Sequence, residues 1–203
     1  MFYNEAMISC ILLTAGESQR FGSPKALAQI HQTKAIEVLQ EKLIQSLVAE
    51  IIIVTGAYEN LIKPYVFNHS KVRVVHNKDY KFGQTSSFQK GISSANTDSN
   101  GFMLLPVDCP FILTKTITEL IEYFQQENPS ILVPTFKGKR GHPPIFHSDL
   151  KQAILNLDIH QGVNDFMKEQ IVQFLEIADP GIVQSFNTKE ELHKLVTGTS
   201  ACH

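Results

Sequence analysis

The sequence predicts an α/β fold, a Rossmann-like three-layer sandwich built around a mostly parallel sheet with one antiparallel edge strand. Three observations lead there. Short apolar runs bounded by turn residues alternate with longer segments of helical period, the trace that strands and crossover helices leave in a sequence. With 203 residues, 43% of them apolar and 19% charged, the chain can bury a substantial core, and a single domain over 1–203 is expected. No repeat or low-complexity stretch interrupts the alternation.

The elements follow in order. Met7 to Leu13 is almost unbroken apolar sequence and reads as a first strand buried on both faces, with Ile51 to Thr55, Val72 to His76 and Gly101 to Val107 as its neighbours. Between them, Ala35 to Ala49 has apolar residues at helical spacing, and Ser86 to Ser94 reads as a shorter helix ending in the polar loop Ala95 to Asn100. Thr116 to Gln126 repeats the helical pattern. Ser130 to Pro134, Pro144 to His147 and Ile171 to Ile177 read as later strands, the last pair including the antiparallel edge. Asn187-Thr188-Lys189-Glu190 resembles a capping box that opens a final helix through Val196, leaving Thr197 to His203 as a frayed tail. The six residues before Met7 carry no assignment.

Charge and composition narrow the partners. A formal net charge of −2 provides no broad basic field, so neither a nucleic-acid backbone nor an anionic membrane surface is the expected partner, and a small molecule is. No apolar run approaches the roughly 20 residues that span a bilayer, and Met1 to Ala6 lacks the pattern of a signal peptide, so a cytoplasmic protein is expected. Cys10, Cys109 and Cys202 have no CxxC spacing, which argues against a disulfide framework or a structural zinc and for reduced thiols, with Cys109 a small buried filler. No GxSxG elbow marks a serine hydrolase.

Four stretches carry chemistry. Leu13-Thr14-Ala15-Gly16 through Arg20 and Lys25 follows the first strand with two glycines and two cations. Glycine admits close backbone approach and exposed N–H groups make an anion site, so a triphosphate fits there, with Arg20 as a planar fork and Lys25 as a point charge. The spacing is neither GxxxxGK[ST] nor GxGxxG, and the plainer alternative is a connector with turn glycines and solvated charges. Asn77, Gly83 and Ser87 surround the start of the helix at Ser86, where they either meet a ligand or shape the turn. Asp108 ends an apolar strand at the carboxyl edge where open sheets bind ligands, a place that suits Mg²⁺ or, equally, a turn-forming aspartate. Lys137 to Phe146 holds Arg140-Gly141-His142-Pro143, a turn with nearby cations suited to an anionic acceptor with His142 as donor, or else a solvated basic hairpin.

Taken together these stretches resemble the MobA-like nucleotidyltransferases. Leu13 through Lys25 is similar to that family's L-[AT]-[AG]-G-x-S-x-R-[MF]-G-x-x-K signature, with Thr14 where alanine is usual. His76 through Gly91, the Asp108-Cys109-Pro110 run and the Gly-His-Pro element agree in order and spacing. The resemblance implies the nucleotide-diphospho-sugar transferase type of fold and the molybdenum-cofactor cytidylyltransferase branch, since Ala15 and His142 stand where that branch has them. It implies transfer of CMP from CTP to a molybdopterin-type phosphorylated acceptor with release of pyrophosphate, and a molybdoenzyme that receives the product; the alternative within the same fold is a guanylyltransferase or a sugar-phosphate nucleotidyltransferase. By it, Lys25, Arg20 and Asp108 are catalytic. Leu13, Thr14, Ala15, Gly16, Asn77, Gly83 and Ser87 join them around the nucleotide. Arg140, Gly141 and His142 take the acceptor, and Mg²⁺ or Mn²⁺ is the cofactor. The family's G-D-x-G-A-R stretch is replaced here by Asp158 to Asn164, and Asn187 stands where an aspartate supplies a second metal contact. An amide oxygen still ligates Mg²⁺ without bringing charge; Asn187 as helix N-cap is the other reading, and Asp179 is a fallback carboxylate. The rival of another class is a binding protein that delivers molybdopterin without turnover.

Overall fold

The structure, a computed structural model, describes residues 7–198; the unassigned start, Cys202 and most of the expected tail lie outside them. The strands are β1 (Met7–Leu13), β2 (Gln29–Ile30), β3 (Thr33–Lys34), β4 (Glu50–Thr55), β5 (Val72–His76), β6 (Ser99–Pro106), β7 (Ile131–Phe136), β8 (Lys139–Arg140), β9 (Ile145–His147) and β10 (Val172–Glu176). The helices are α1 (Ala35–Ile44), α2 (Glu59–Ile62), α3 (Gln84–Ser94), α4 (Thr114–Glu127), α5 (Lys151–Leu155), α6 (Val163–Lys168) and α7 (Lys189–Thr197).

One sheet runs in the order β10-β7-β9-β6-β1-β4-β5, with β8 paired to β7, while β2 and β3 form a small separate ladder. β1 lies at its centre, parallel to β4 and β6. Its side chains alternate between two cores. Ile8, Cys10 and Leu12 pack with Leu39 and Leu43 of α1 and Leu120 and Phe124 of α4. Ile11 and Leu13 pack on the opposite face with Phe88 and Ile92 of α3 and Phe166 of α6. A strand covered on both faces must be apolar throughout, which is why MISCILL shows no alternation of polar residues. This is the expected three-layer arrangement.

The seven strands read from the sequence are present, their ends shifted by a residue or two. The antiparallel strand expected at an edge lies inside the sheet. It is β9, which pairs antiparallel with β6 on one side and β7 on the other, and the fully buried Ile145 and Phe146 sit between those neighbours. The edge belongs to β10, parallel to β7. Helix α1 stops at Ile44 rather than Ala49 because Ser46 turns the chain: its Oγ donates to the Leu43 carbonyl (2.8 Å) and accepts from Val48 N (3.3 Å). Helix α7 runs one residue past Val196 and ends on Gly198 in the left-handed region. No helix among the described residues is long and apolar enough to cross a membrane.

Candidate functional site

The carboxyl ends of the parallel strands β1, β4, β5 and β6 meet at one edge of the sheet, and a cleft of about 690 Å³ opens beside them. Its first wall is the loop after β1. Thr14 fastens the start of that loop to the sheet, its N–H and its Oγ1 both donating to the Val54 carbonyl (3.0 and 2.9 Å). The turn after β4 braces it from behind: Ala57 N donates to the Ala15 carbonyl (3.1 Å), and a Cβ on Gly56 would stand 2.6 Å from that oxygen. Ser18 then folds the loop back, its carbonyl accepting from Phe21 N and Gly22 N (2.9 and 3.0 Å) and its Oγ from Lys25 N (3.2 Å). Gly16 differs from these braced positions. Its backbone is outside the left-handed region, and an added Cβ would meet nothing within 4 Å.

The loop delivers Lys25 to the centre of a four-residue cluster. Its ammonium donates to Asp108 Oδ2 (2.7 Å) and to Asn187 Oδ1 (2.9 Å), and Arg20 donates to the same Asn187 oxygen (3.0 Å). The Lys25 and Asp108 side chains are only 15% and 21% exposed, so their attraction is less screened than that of a surface pair. Lys25 also lies 5.8 Å from the centroid of the Phe186 ring, which packs at a tilt on Phe21 (5.3 Å between centroids). Asp108 is placed by the end of β6, where Val107 N donates to the Leu13 carbonyl (3.1 Å), and its own carbonyl accepts from Phe186 N (3.2 Å), tying in the segment that carries Asn187.

The opposite wall holds Gly83, Ser87 and Tyr80. Gly83 adopts φ 97°, which glycine alone tolerates readily, and leads into α3. His142 closes the site; burial pushes its pKa below the ordinary value of 6.5, with the Asp108 carboxylate opposing, and its Nδ1 is buried without a hydrogen-bond partner. The pKa of the neighbouring Cys109 thiol is raised well above its usual range, first by burial and then by Asp108, which disfavours a thiolate there.

With two strand-end loops, two cations and a carboxylate gathered at one edge, the sequence itself decides the family: residues 10–174 match the model of the MobA-like NTP transferase domain. The chain belongs to that family. Some relatives align over nearly the whole chain and others over 72% of it. It is 25% identical to a probable molybdenum cofactor guanylyltransferase of Natranaerobius thermophilus over 92% of this chain and 94% of that one. It is 28% identical to the molybdenum cofactor cytidylyltransferase of Escherichia coli over 72% and 74%. It is also 24% identical to the nicotine blue oxidoreductase of Paenarthrobacter nicotinovorans over 93% and 96%. Among solved structures, the manganese complex of Rv0371c from Mycobacterium tuberculosis superposes with a TM-score of 0.78 at 18% identity, covering 96% of this chain and all of that one, a likeness of fold.

Not every residue named from the sequence reaches the MobA-like cleft. Leu13, Thr14, Ala15, Gly16, Arg20, Lys25, Gly83, Ser87, Asp108, His142 and Asn187 all line it. Asn77 lies buried beneath, donating its Nδ2 to Ser86 Oγ and Ser87 Oγ (3.1 Å each), and so sets the serines rather than the ligand space. Gly141 packs against Ile182, which leaves no room for a Cβ. Arg140 does not reach the cleft: β8 carries it on the sheet's outer side, and its guanidinium rests 4.8 Å from the centroid of Phe174 on the edge strand. The capping role considered for Asn187 belongs to Thr188, whose Oγ1 accepts from Glu191 N (3.2 Å). Asp179 is buried and committed elsewhere, accepting from Leu113 N, Thr116 Oγ1 and Gly181 N (2.9, 2.8 and 2.8 Å). The sequence reading missed Tyr80 and Gln84, whose place in the wall follows from the turn at Gly83, and the fully buried Phe186, which lies behind Lys25 and for which no spacing gave a signal.

Proposed function

We propose that the chain is a single nucleotidyltransferase unit that transfers CMP from CTP to the phosphate of a molybdopterin-type acceptor, releasing pyrophosphate. The observation that carries this is the convergence of Arg20, Asn187, Lys25 and Asp108, joined in that order by hydrogen bonds, beside the glycine-bearing loop. Both reactants are anionic, so the barrier falls mainly through charge neutralisation and alignment. Lys25 and Arg20 supply positive charge to the phosphates, and the open space at Gly16 lets the backbone come close to them. Ser87 borders the base side, and His142, neutral at pH 7, donates to the acceptor. No general base is needed for an acceptor phosphate that is already ionised.

The carboxylate of Asp108 fits a divalent cation, because its Oδ2 already faces the positive charge of Lys25 at 2.7 Å and its Oδ1 accepts only from the weak Cys109 thiol donor at 3.6 Å. Asp108 would hold Mg²⁺ or Mn²⁺, which when bound would add charge stabilisation at the phosphate oxygens. Ala15 and the Gly141-His142-Pro143 element support CTP, whereas several relatives bear guanylyltransferase names, which supports GTP as the alternative nucleotide. Asn187 in place of a carboxylate supports the second reading, a cofactor-delivery protein without turnover.

The test is pyrophosphate release from each of the four NTPs with Mg²⁺ or Mn²⁺ and molybdenum cofactor. The expected outcome is acceptor-dependent release with CTP that falls roughly 100-fold or more in Asp108→Ala. Release with GTP alone replaces the nucleotide assignment, and CTP binding without release under every condition favours the delivery protein.

A further inference from the structure

Asn187 differs from a metal ligand in how its oxygen is used. A carbonyl-type oxygen has two lone pairs, and those of Asn187 Oδ1 are taken by Lys25 (2.9 Å) and Arg20 (3.0 Å). A carboxylate has about four acceptor positions. Asp108 commits Oδ2 to Lys25 at 2.7 Å and Oδ1 only to the weak Cys109 thiol donor at 3.6 Å, so it retains capacity for a further cation. The charges follow the same division. Lys25 and Arg20 contribute +2 and Asp108 −1, so the four side chains carry a net +1, a field that repels a free divalent cation and attracts a polyphosphate. An aspartate at 187 would bring that sum to zero.

We infer that Asn187 is a positioning residue that tethers Lys25 and Arg20 at the mouth of the cleft, and that a divalent cation enters this site with the nucleotide rather than ahead of it. The inference rests on the nucleotidyltransferase reading for its second half. Two cations held on one neutral oxygen are kept apart from full neutralisation, ready for phosphate, where a second carboxylate would have quenched them. Phosphates bound there would reverse the sign of the field, and Asp108, whose Oδ1 is spare, would then hold the metal that accompanies them. Because coupling between two ligands is reciprocal, nucleotide raises the affinity for metal by the same factor by which metal raises the affinity for nucleotide.

The experiment measures Mn²⁺ binding by the loss of its free-ion electron paramagnetic resonance signal, with and without a non-hydrolysable CTP or GTP analogue, for the wild-type protein, Asn187→Asp and Asn187→Ala. Thermal melts check that all three are folded. Wild type is expected to bind Mn²⁺ weakly alone and about tenfold or more tightly with nucleotide. Asn187→Asp gains about tenfold or more in nucleotide-free Mn²⁺ affinity and loses most of the coupling, a gain that a merely structural role would not produce. Asn187→Ala keeps the weak metal binding but binds metal-free nucleotide about tenfold less tightly. Tight nucleotide-free Mn²⁺ binding by wild type that disappears in Asn187→Ala overturns the inference, as does equal Mn²⁺ affinity in wild type and Asn187→Asp. If no nucleotide binds to any variant, it is the nucleotidyltransferase reading that falls, while the nucleotide-free comparison still decides whether Asn187 acts as tether or ligand.

Discussion

At Gly16 an added methyl group meets no protein atom within 4 Å, whereas at Gly56 it would stand 2.6 Å from a carbonyl and at Gly141 2.7 Å from Ile182. The fold therefore requires the second and third of these glycines but not the first. Gly16→Ala should leave the unfolding free energy within about 0.5 kcal/mol of wild type, and should lower nucleotide affinity about tenfold or more, as read by urea unfolding and by titration calorimetry on the same variant. Unchanged affinity would mean that no ligand approaches that backbone. At this scale the sequence was informative about position. Lys25 and Asp108 were picked out by the resemblance of their stretches, and they meet at 2.7 Å. Asn187 was legible as a position but not as a role, because the sequence leaves helix cap and metal contact as alternatives and does not show that Thr188 takes the cap. Arg140 was misjudged because spacing alone does not reveal that Phe174, far along the chain, holds its guanidinium on the outer surface.

Helix α3 illustrates how an element, rather than a residue, fixes the wall of the site. Gly91 lets it lie directly on β1, for a Cβ there would collide with Ile11 Cγ2, an atom one bond from the Ile11 Cβ and with little freedom to move. Gly91→Ala should push the helix outward and cost about 1–3 kcal/mol of stability through overpacking, measured by denaturant unfolding. It should also weaken nucleotide binding, since the same helix carries Ser87 into the cleft. A stability change below about 0.5 kcal/mol would show that the contact relaxes freely. Long elements were well read from the sequence because burial on two faces leaves a continuous apolar run, and a helix of 14 residues such as α4 displays its period fully. Helices α2, α5 and α6, with 4, 5 and 6 residues, escaped because they complete too few turns to show one. That the last two strands include an antiparallel one was legible, but that it is β9, and that it lies inside the sheet rather than at its edge, emerges only from the pairing.

For the whole molecule, the two cores on either side of the sheet were foreseeable from alternation and length, and the cleft at the carboxyl edge followed from topology. Stability against pH is a property at this scale. His142 has a folded pKa lowered by burial, so below its ordinary value of 6.5 the unfolded chain takes up the proton first. Its contribution to stability is intact above that value and is lost as pH falls toward the folded pKa. Between about pH 7 and pH 5, His142→Gln should lose less unfolding free energy than wild type, and identical losses in urea titrations would remove His142 as a source of acid sensitivity. The reversal of β9 has one more consequence. Its first residue, Ile145, pairs with Met103 near the carboxyl end of β6, and the Pro144 carbonyl accepts from Leu104 N (3.0 Å), so the chain before β9 arrives at the cleft from the direction opposite to every strand-to-helix crossover. The crossover loops thus furnish most of the cleft, and the return segment adds His142 from a separate piece of the chain. The return segment from Lys137 to Pro144 is therefore not free to vary throughout: Gly141, packed on Ile182, and the His142 N–H, bonded to the Ile182 carbonyl (2.8 Å), are fixed points, and variation is confined to the exposed turn ahead of them.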